Sequence, residues 1–178
     1  MFAFFKTLSQ QRMAWLLLIL SCMALTITAL YFQHNMGLQP CVMCIYERIA
    51  LLGILIAGIF AMFAPKSRLL RWSAILFGLF CATKGLLLAI KHTDYQINPA
   101  PWNQCSPFVE FPATLPLDTW FPALFAAGGD CGKISWQFLG LSMPQWLIGI
   151  FAIYVLIFVL LLLSQFKRTQ HTRRNLFR

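Results

Sequence analysis

Residues 13–32 are twenty consecutive positions without a charged side chain, and three further stretches of similar length follow. Residues 49–64 are apolar and reach crossing length when counted from Cys44; residues 72–90 are interrupted only by Lys84; residues 146–164 carry no charge. At ~1.5 Å per helical residue, each stretch covers roughly the 30 Å of a bilayer's hydrocarbon layer. With 60% hydrophobic and 11% charged residues in a 178-residue chain, buried helices of a soluble core are a poor alternative. The expected fold is an all-α membrane protein: one domain, 1–178, built as a four-transmembrane-helix bundle over 13–32, 44–64, 72–90 and 146–164.

Net charge is +9, which in a soluble protein would raise nucleic acid as a partner. Its distribution points to a lipid bilayer instead. Lys6, Arg12, Lys66, Arg68, Arg71, Lys167, Arg168, Arg173, Arg174 and Arg178 all flank one side of a four-crossing layout, where none of Glu47, Asp94, Glu110, Asp118 and Asp130 falls. The positive-inside bias makes segments 1–12, 65–71 and 165–178 cytoplasmic, with both termini inside. Segments 33–48 and 93–145 then face outward. The first run exceeds the usual ~7–15-residue apolar region of a secretory signal and lacks a small-x-small cleavage site, so it is expected to stay as an anchor. Lys84 falls in the outward half of its helix, placed to snorkel.

The long outward loop, 93–145, holds Pro99, Pro101, Pro107, Pro112, Pro116, Pro122 and Pro144, which exclude a long regular helix. Within it, residues 117–125 carry Trp120, Phe121, Leu124 and Phe125. They are expected as a short interfacial helix with aromatics at headgroup level, the alternative being a loop with a local apolar cluster.

Position sorts the six cysteines. Cys22 and Cys81 lie within apolar runs, where cysteine acts as a small hydrophobe. Cys41, Cys44, Cys105 and Cys131 fall on the outward side, an oxidising compartment in a bacterium-like layout. Four cysteines admit three pairings, and the short ring favours Cys41–Cys44, leaving Cys105–Cys131. A Cys-x-x-Cys ring gains little from loop closure, so reactivity explains it better than stapling. A Cys₄ zinc site would prefer two tight pairs, and Cys105 and Cys131 are 26 positions apart. A c-type haem needs His after the second cysteine, where Ile45 stands. No metal is expected.

Taken together, Trp15-Leu16-Leu17, Phe32-Gln33-His34, the run from Pro40 to Arg48, Phe111-Pro112, Leu115-Pro116-Leu117-Asp118, Gly128-Gly129-Asp130-Cys131 and Met143-Pro144-Gln145-Trp146-Leu147 resemble the DsbB family over almost the whole chain. The family comprises bacterial inner-membrane proteins that keep the periplasm oxidising through a DsbA–DsbB–quinone route. The resemblance implies a disulfide bond formation protein that reoxidises a DsbA-like periplasmic thiol oxidant and passes the electrons to membrane quinone, ubiquinone or menaquinone. It makes Cys105–Cys131 the outer disulfide, attacked at Cys105 by the partner, and Cys41–Cys44 the inner one. Cys41 would exchange with Cys131, and Cys44 would donate to quinone.

Elementary chemistry agrees with that order. Cys44 opens a membrane helix, where N-terminal amides and Arg48 one turn on can stabilise a thiolate. Arg48 can also hydrogen-bond a quinone carbonyl, the bland alternative being an interfacial arginine snorkelling to headgroups. His92 resembles a family histidine near the quinone, suited to a hydrogen bond or a proton. Glu47 receives no catalytic role, because neighbouring helix positions point apart. Two other classes compete. A tetraspan assembly protein with structural disulfides would resist reduction by a partner dithiol. A DsbD-like reductant would need paired intramembrane cysteines at matching positions.

Overall fold

A computed structural model describes residues 2–63, 67–100, 102–106, 108–111 and 117–166. Of the expected cytoplasmic segments 65–71 and 165–178, residues 65–66 and 167–178 therefore lie outside the described residues, as do Pro101, Pro107, Pro112, Leu115 and Pro116 of the long loop.

Four helices are long and apolar enough to cross a membrane: α2 (Arg12–His34), α3 (Val42–Phe63), α4 (Arg68–Ile97) and α7 (Met143–Phe166). The chain is a multi-pass membrane protein. A helix satisfies its own backbone polar groups, which hydrocarbon cannot, so apolar stretches of this length have no better state in a bilayer. The four alternate in direction, packing as α2 on α3, α3 on α4 and α4 on α7. Glycines set the closest approaches. A Cβ at Gly85 would collide with the Phe151 ring, one at Gly78 with the Phe158 ring, and one at Gly53 with Cys81. Small residues on α4 thus receive fully buried phenylalanines from α7. Between α2 and α7 the bundle closes through Ser21 Oγ and Tyr154 Oη, 2.9 Å apart.

Several expected boundaries move. The third crossing does not stop at residue 90 but continues through His92 to Ile97. Lys91, His92, Thr93 and Asp94 are polar without breaking a helix, and Thr93 Oγ1 donates back to the Ala89 carbonyl at 2.9 Å. The true stop is Pro99, which disfavours helix in the residue before it. The fourth crossing starts earlier, at Met143, because Gln145 Oε1 accepts the Ser142 N–H at 2.9 Å, half of a capping box. Residues 117–125 are not one helix. They form two single turns, α5 (Leu117–Trp120) and α6 (Pro122–Phe125), parted at Phe121, whose backbone the following proline constrains.

Two elements had no forecast. The short helix α1 (Phe2–Gln10) packs on the far end of α7, ahead of an extended Gln11. A hairpin of β1 (Gln137–Phe138) and β2 (Leu141–Ser142) turns through Leu139 and Gly140, both at positive φ. Such a two-residue turn matches the strand twist, and glycine removes the steric cost at its second position.

Candidate redox site

Antiparallel crossing brings the start of α3 beside the end of α4, and there the cysteines gather. Cys41 immediately precedes α3, and the helix's first turn lays the Cys44 amide 3.3 Å from Cys41 Sγ. Helix N-terminal amides favour negative charge, and here the amide serves Cys41 rather than Cys44, the sulfur expected to receive it. A parallel bridge joins Cys41 to Gly129, while Pro40's carbonyl accepts from the Gly128 and Gly129 amides at 3.0 and 3.1 Å. A Cβ on Gly129 would strike the Gln39 carbonyl, so glycine alone admits this approach. Two residues later Cys131 is buried in one cluster with Cys41, Met43 and Tyr95, with Cys44 and Cys105 packed against it.

Cys105 and Cys131 are joined as a disulfide. Cys131 is 1% exposed whereas Cys105 is half-buried, so Cys105 presents the more accessible sulfur. The loop bearing it is tethered where Tyr46 Oη accepts the Glu110 amide at 2.9 Å. The other expected bond is open: Cys41 and Cys44 are free thiols with sulfurs 2.6 Å apart. The two sulfurs are thus adjacent, within reach of a disulfide of ~2.05 Å.

His92 closes a trio with the two cysteines whose donor atoms lie within 4.8 Å of one another. Tetrahedral zinc with ~2.3 Å Zn–S bonds would hold its sulfurs about 3.8 Å apart. The sulfurs here are 2.6 Å apart, closer than that edge. His92 Nε2 faces Cys41 Sγ at 3.4 Å, and its Nδ1 meets Glu47 Oε1 at 3.0 Å. Both side chains of that pair are nearly sealed from solvent, at 3% and 1% exposure.

Arg48 points to a different wall. Its Nη1 donates to Gln33 Oε1 of α2 at 3.1 Å and, in a short contact, to the Leu124 carbonyl of α6; Gln33 Nε2 reaches the Ala123 carbonyl at 3.0 Å. The segment expected on the membrane surface is thus held at its backbone by Arg48 and Gln33, with Phe125 buried and Trp120 and Phe121 exposed. Lys84 is exposed on α4, its ammonium 5.8 Å from the centre of the Phe80 ring.

Above the Ser21–Tyr154 contact, α2 and α7 part around a cavity of about 320 Å³. Leu25, Ala29, Phe32, Leu147 and Ile150 form its apolar walls, and Cys41, Cys44, Glu47, Arg48, His92 and Gln96 its polar pole. Three buried atoms at that pole, Glu47 Oε2, Arg48 Nε and Gln96 Oε1, lack a hydrogen-bond partner among the described residues. Buried polar atoms are rarely left so, and here all three line the same cavity. Glu47, Gln33 and Gln96 were overlooked as site residues in the sequence. An ionisable group inside a crossing was the available signal for Glu47. For Gln96 it was the position one turn beyond His92.

A membrane-spanning bundle that buries a Cys-x-x-Cys pair against a second disulfide is a thiol oxidoreductase by its construction. Residues 11–161 match the family model described as Disulfide bond formation protein DsbB. Curated relatives named Disulfide bond formation protein B include those of Histophilus somni (58% identity, covering 97% of this chain and 98% of the relative) and Pasteurella multocida (56%, covering 99% of each). The Yersinia pestis relative is 55% identical over 99% of each chain. The chain belongs to the DsbB family of disulfide bond formation proteins.

Proposed function

We propose that this protein sits in the bacterial inner membrane, reoxidises a DsbA-like periplasmic thiol oxidant, and delivers the electron pair to membrane quinone. The observation that carries this reading is the cavity: the free cysteine pair lines an apolar space between crossing helices, while Cys105 is the less buried half of the loop disulfide. The polar pole suits a quinone headgroup. Arg48 Nε offers an unpartnered N–H to a carbonyl oxygen, and Gln96 Oε1 offers an acceptor to the O–H of the reduced form. Either ubiquinone or menaquinone has this chemistry. The alternation of the helices supports the orientation, because Arg12, Arg68 and Arg71 then lie at the end opposite the cysteines.

In the exchange, a partner thiolate attacks Cys105 Sγ and Cys131 leaves as a thiolate. With the inner pair oxidised, Cys131, in one cluster with Cys41, attacks Cys41 Sγ and Cys44 leaves as a thiolate. The partner's second thiol displaces Cys105, and Cys105 displaces Cys41 from Cys131, so the outer disulfide is restored, the inner pair is reduced and the partner's dithiol becomes a disulfide. Bound quinone supplies a two-electron, two-proton sink. Cys44, half-buried at the cavity, is the sulfur placed to donate to it, and Cys41 then closes the ring. Arg48 favours charge developing on an oxygen held at its unpartnered edge. Purified protein in detergent, given a reduced thioredoxin-fold oxidant, should bleach the ultraviolet absorbance of added quinone. Thiol exchange without any bleaching would remove quinone from the scheme. For orientation, a membrane-impermeant thiol reagent should label a cysteine placed at Glu110 and miss one at Ser67; the reverse pattern would invert the topology.

A further inference from the structure

We propose that Glu47 and His92 form a proton carrier that takes the Cys41 thiol proton and delivers it into the cavity as the inner disulfide closes. This rests on the reading above, in which the Cys41–Cys44 pair hands its electrons to an acceptor in that cavity.

The geometry is a continuous line of exchangeable positions. Cys41 Sγ is 3.4 Å from His92 Nε2, His92 Nδ1 is 3.0 Å from Glu47 Oε1, and Glu47 Oε2 is buried without a partner among the described residues. Both side chains line the cavity that Cys44 also faces. Because a carboxylate only accepts, its bond to Nδ1 places the ring proton there and turns the bare Nε2 toward the thiol. A purely structural carboxylate–imidazole pair would satisfy both carboxylate oxygens. This one leaves the second without a partner among the described residues, in a side chain that lines the cavity, a costly arrangement unless something else completes it.

The balance is as follows. Closing the inner ring breaks two S–H bonds, makes one S–S bond and releases two electrons and two protons. Reduction of a quinone consumes both electrons and both protons in two new O–H bonds. Cys41 gives its proton to His92 Nε2, the Nδ1 proton passes to Glu47, and the carboxyl releases it to the acceptor's oxygen. The Cys44 proton passes to the acceptor directly, since among the described residues His92 Nε2 contacts Cys41 Sγ and not Cys44 Sγ. Arg48, Asp130 and Lys133 are the other charged groups lining the space, and none lies in this line.

The test reads Cys41 itself, with no quinone present. In full-length Cys44→Ser protein in detergent, the rate of Cys41 alkylation by iodoacetamide is followed by mass spectrometry, with and without Glu47→Gln. Glutamine keeps the hydrogen bond to Nδ1 and cannot accept the proton. Alkylation should slow roughly tenfold, less than the ~10²–10⁴ of a complete positioned base because His92 remains to accept the proton, and Glu47→Asp should recover part of it. Cys44, read in a Cys41→Ser background, should be unaffected. A Glu47→Gln protein that alkylates Cys41 at the parent rate, or slows Cys44 equally, would overturn the relay. Should Glu47→Gln fail to assemble, His92→Gln gives the same reading, and an unchanged Cys41 rate there would also overturn it. Failure of wild-type quinone reduction, by contrast, would strike the proposed function and leave these rates untouched.

Discussion

The bundle buries polar side chains at both ends, and the two ends treat them differently. At the end opposite the cysteines, Arg71 Nε donates to Gln165 Oε1 at 3.0 Å, and Gln165 Nε2 donates to Ser9 Oγ and Ser164 Oγ at 3.2 and 3.0 Å. Trp15 Nε1 closes the set on the Ser9 carbonyl at 2.9 Å, clasping α1 against α2 and α7. No buried unpartnered side-chain atom is found there among the described residues. At the cysteine end, Glu47, Arg48, Gln96 and Ser142 each leave one. A satisfied buried network rigidifies a fold, while an incomplete one costs stability and is retained where another molecule completes it. One end is a clasp and the other a site.

The largest effect that would sharpen this contrast comes from the sulfurs. Cys41→Ser or Cys44→Ser should abolish quinone reduction while the Cys105–Cys131 bond still forms, and Cys131→Ser should accumulate a mixed disulfide at Cys105. Non-reducing gels read both. A Cys105→Ser protein that still oxidised its partner fully would break the proposed order of exchange.

Arg48 is next, and it spans both behaviours. Arg48→Met should remove a charge-assisted hydrogen bond of about 1.5–3 kcal/mol, or roughly ten- to a hundredfold in quinone affinity or turnover. Arg48→Lys should retain part, since it keeps charge without the planar fork. Because Arg48 also holds the Leu124 carbonyl, proteolysis within 117–125 should quicken in Arg48→Met. Normal quinone kinetics with faster proteolysis would reduce Arg48 to an anchor of that segment.

Packing between the two ends should change stability alone. Gly85→Ala drives a Cβ into the Phe151 ring and should cost about 1–3 kcal/mol, read as a lower Tm in detergent. The smallest effect on turnover is expected at the clasp. Gln165→Ala should cost roughly 0.5–1.5 kcal/mol per hydrogen bond lost, with quinone kinetics unchanged. A kinetic defect in Gln165→Ala would erase the distinction between the ends.

Much of the architecture was legible in one dimension. Run lengths announced four crossings, because bilayer thickness sets a length that local sequence must meet. Boundaries were less legible where polar residues continue a helix, as from Lys91 to Ile97, or where a side chain caps one, as at Ser142 and Gln145. The segment 117–125 shows the same limit. Its aromatics suggested a single surface helix, but Pro122 divides it and two side chains from other helices hold its backbone.

Glu47 and Arg48 mark where sequence ends. That adjacent helix positions diverge followed from 3.6 residues per turn, and they do diverge. Which walls they meet was decided by how α3 is rotated between its neighbours, turning Glu47 to His92 on α4, 45 positions away, and Arg48 to Gln33 on α2. By itself the sequence determined the membrane class, the number of crossings and which four cysteines fall outside the crossings' apolar interiors, all set by local composition and spacing. Only the tertiary structure decided that Cys41, His92 and Glu47 form one line ending at a cavity, because contacts between helices depend on their mutual rotation and depth, which no single helix encodes.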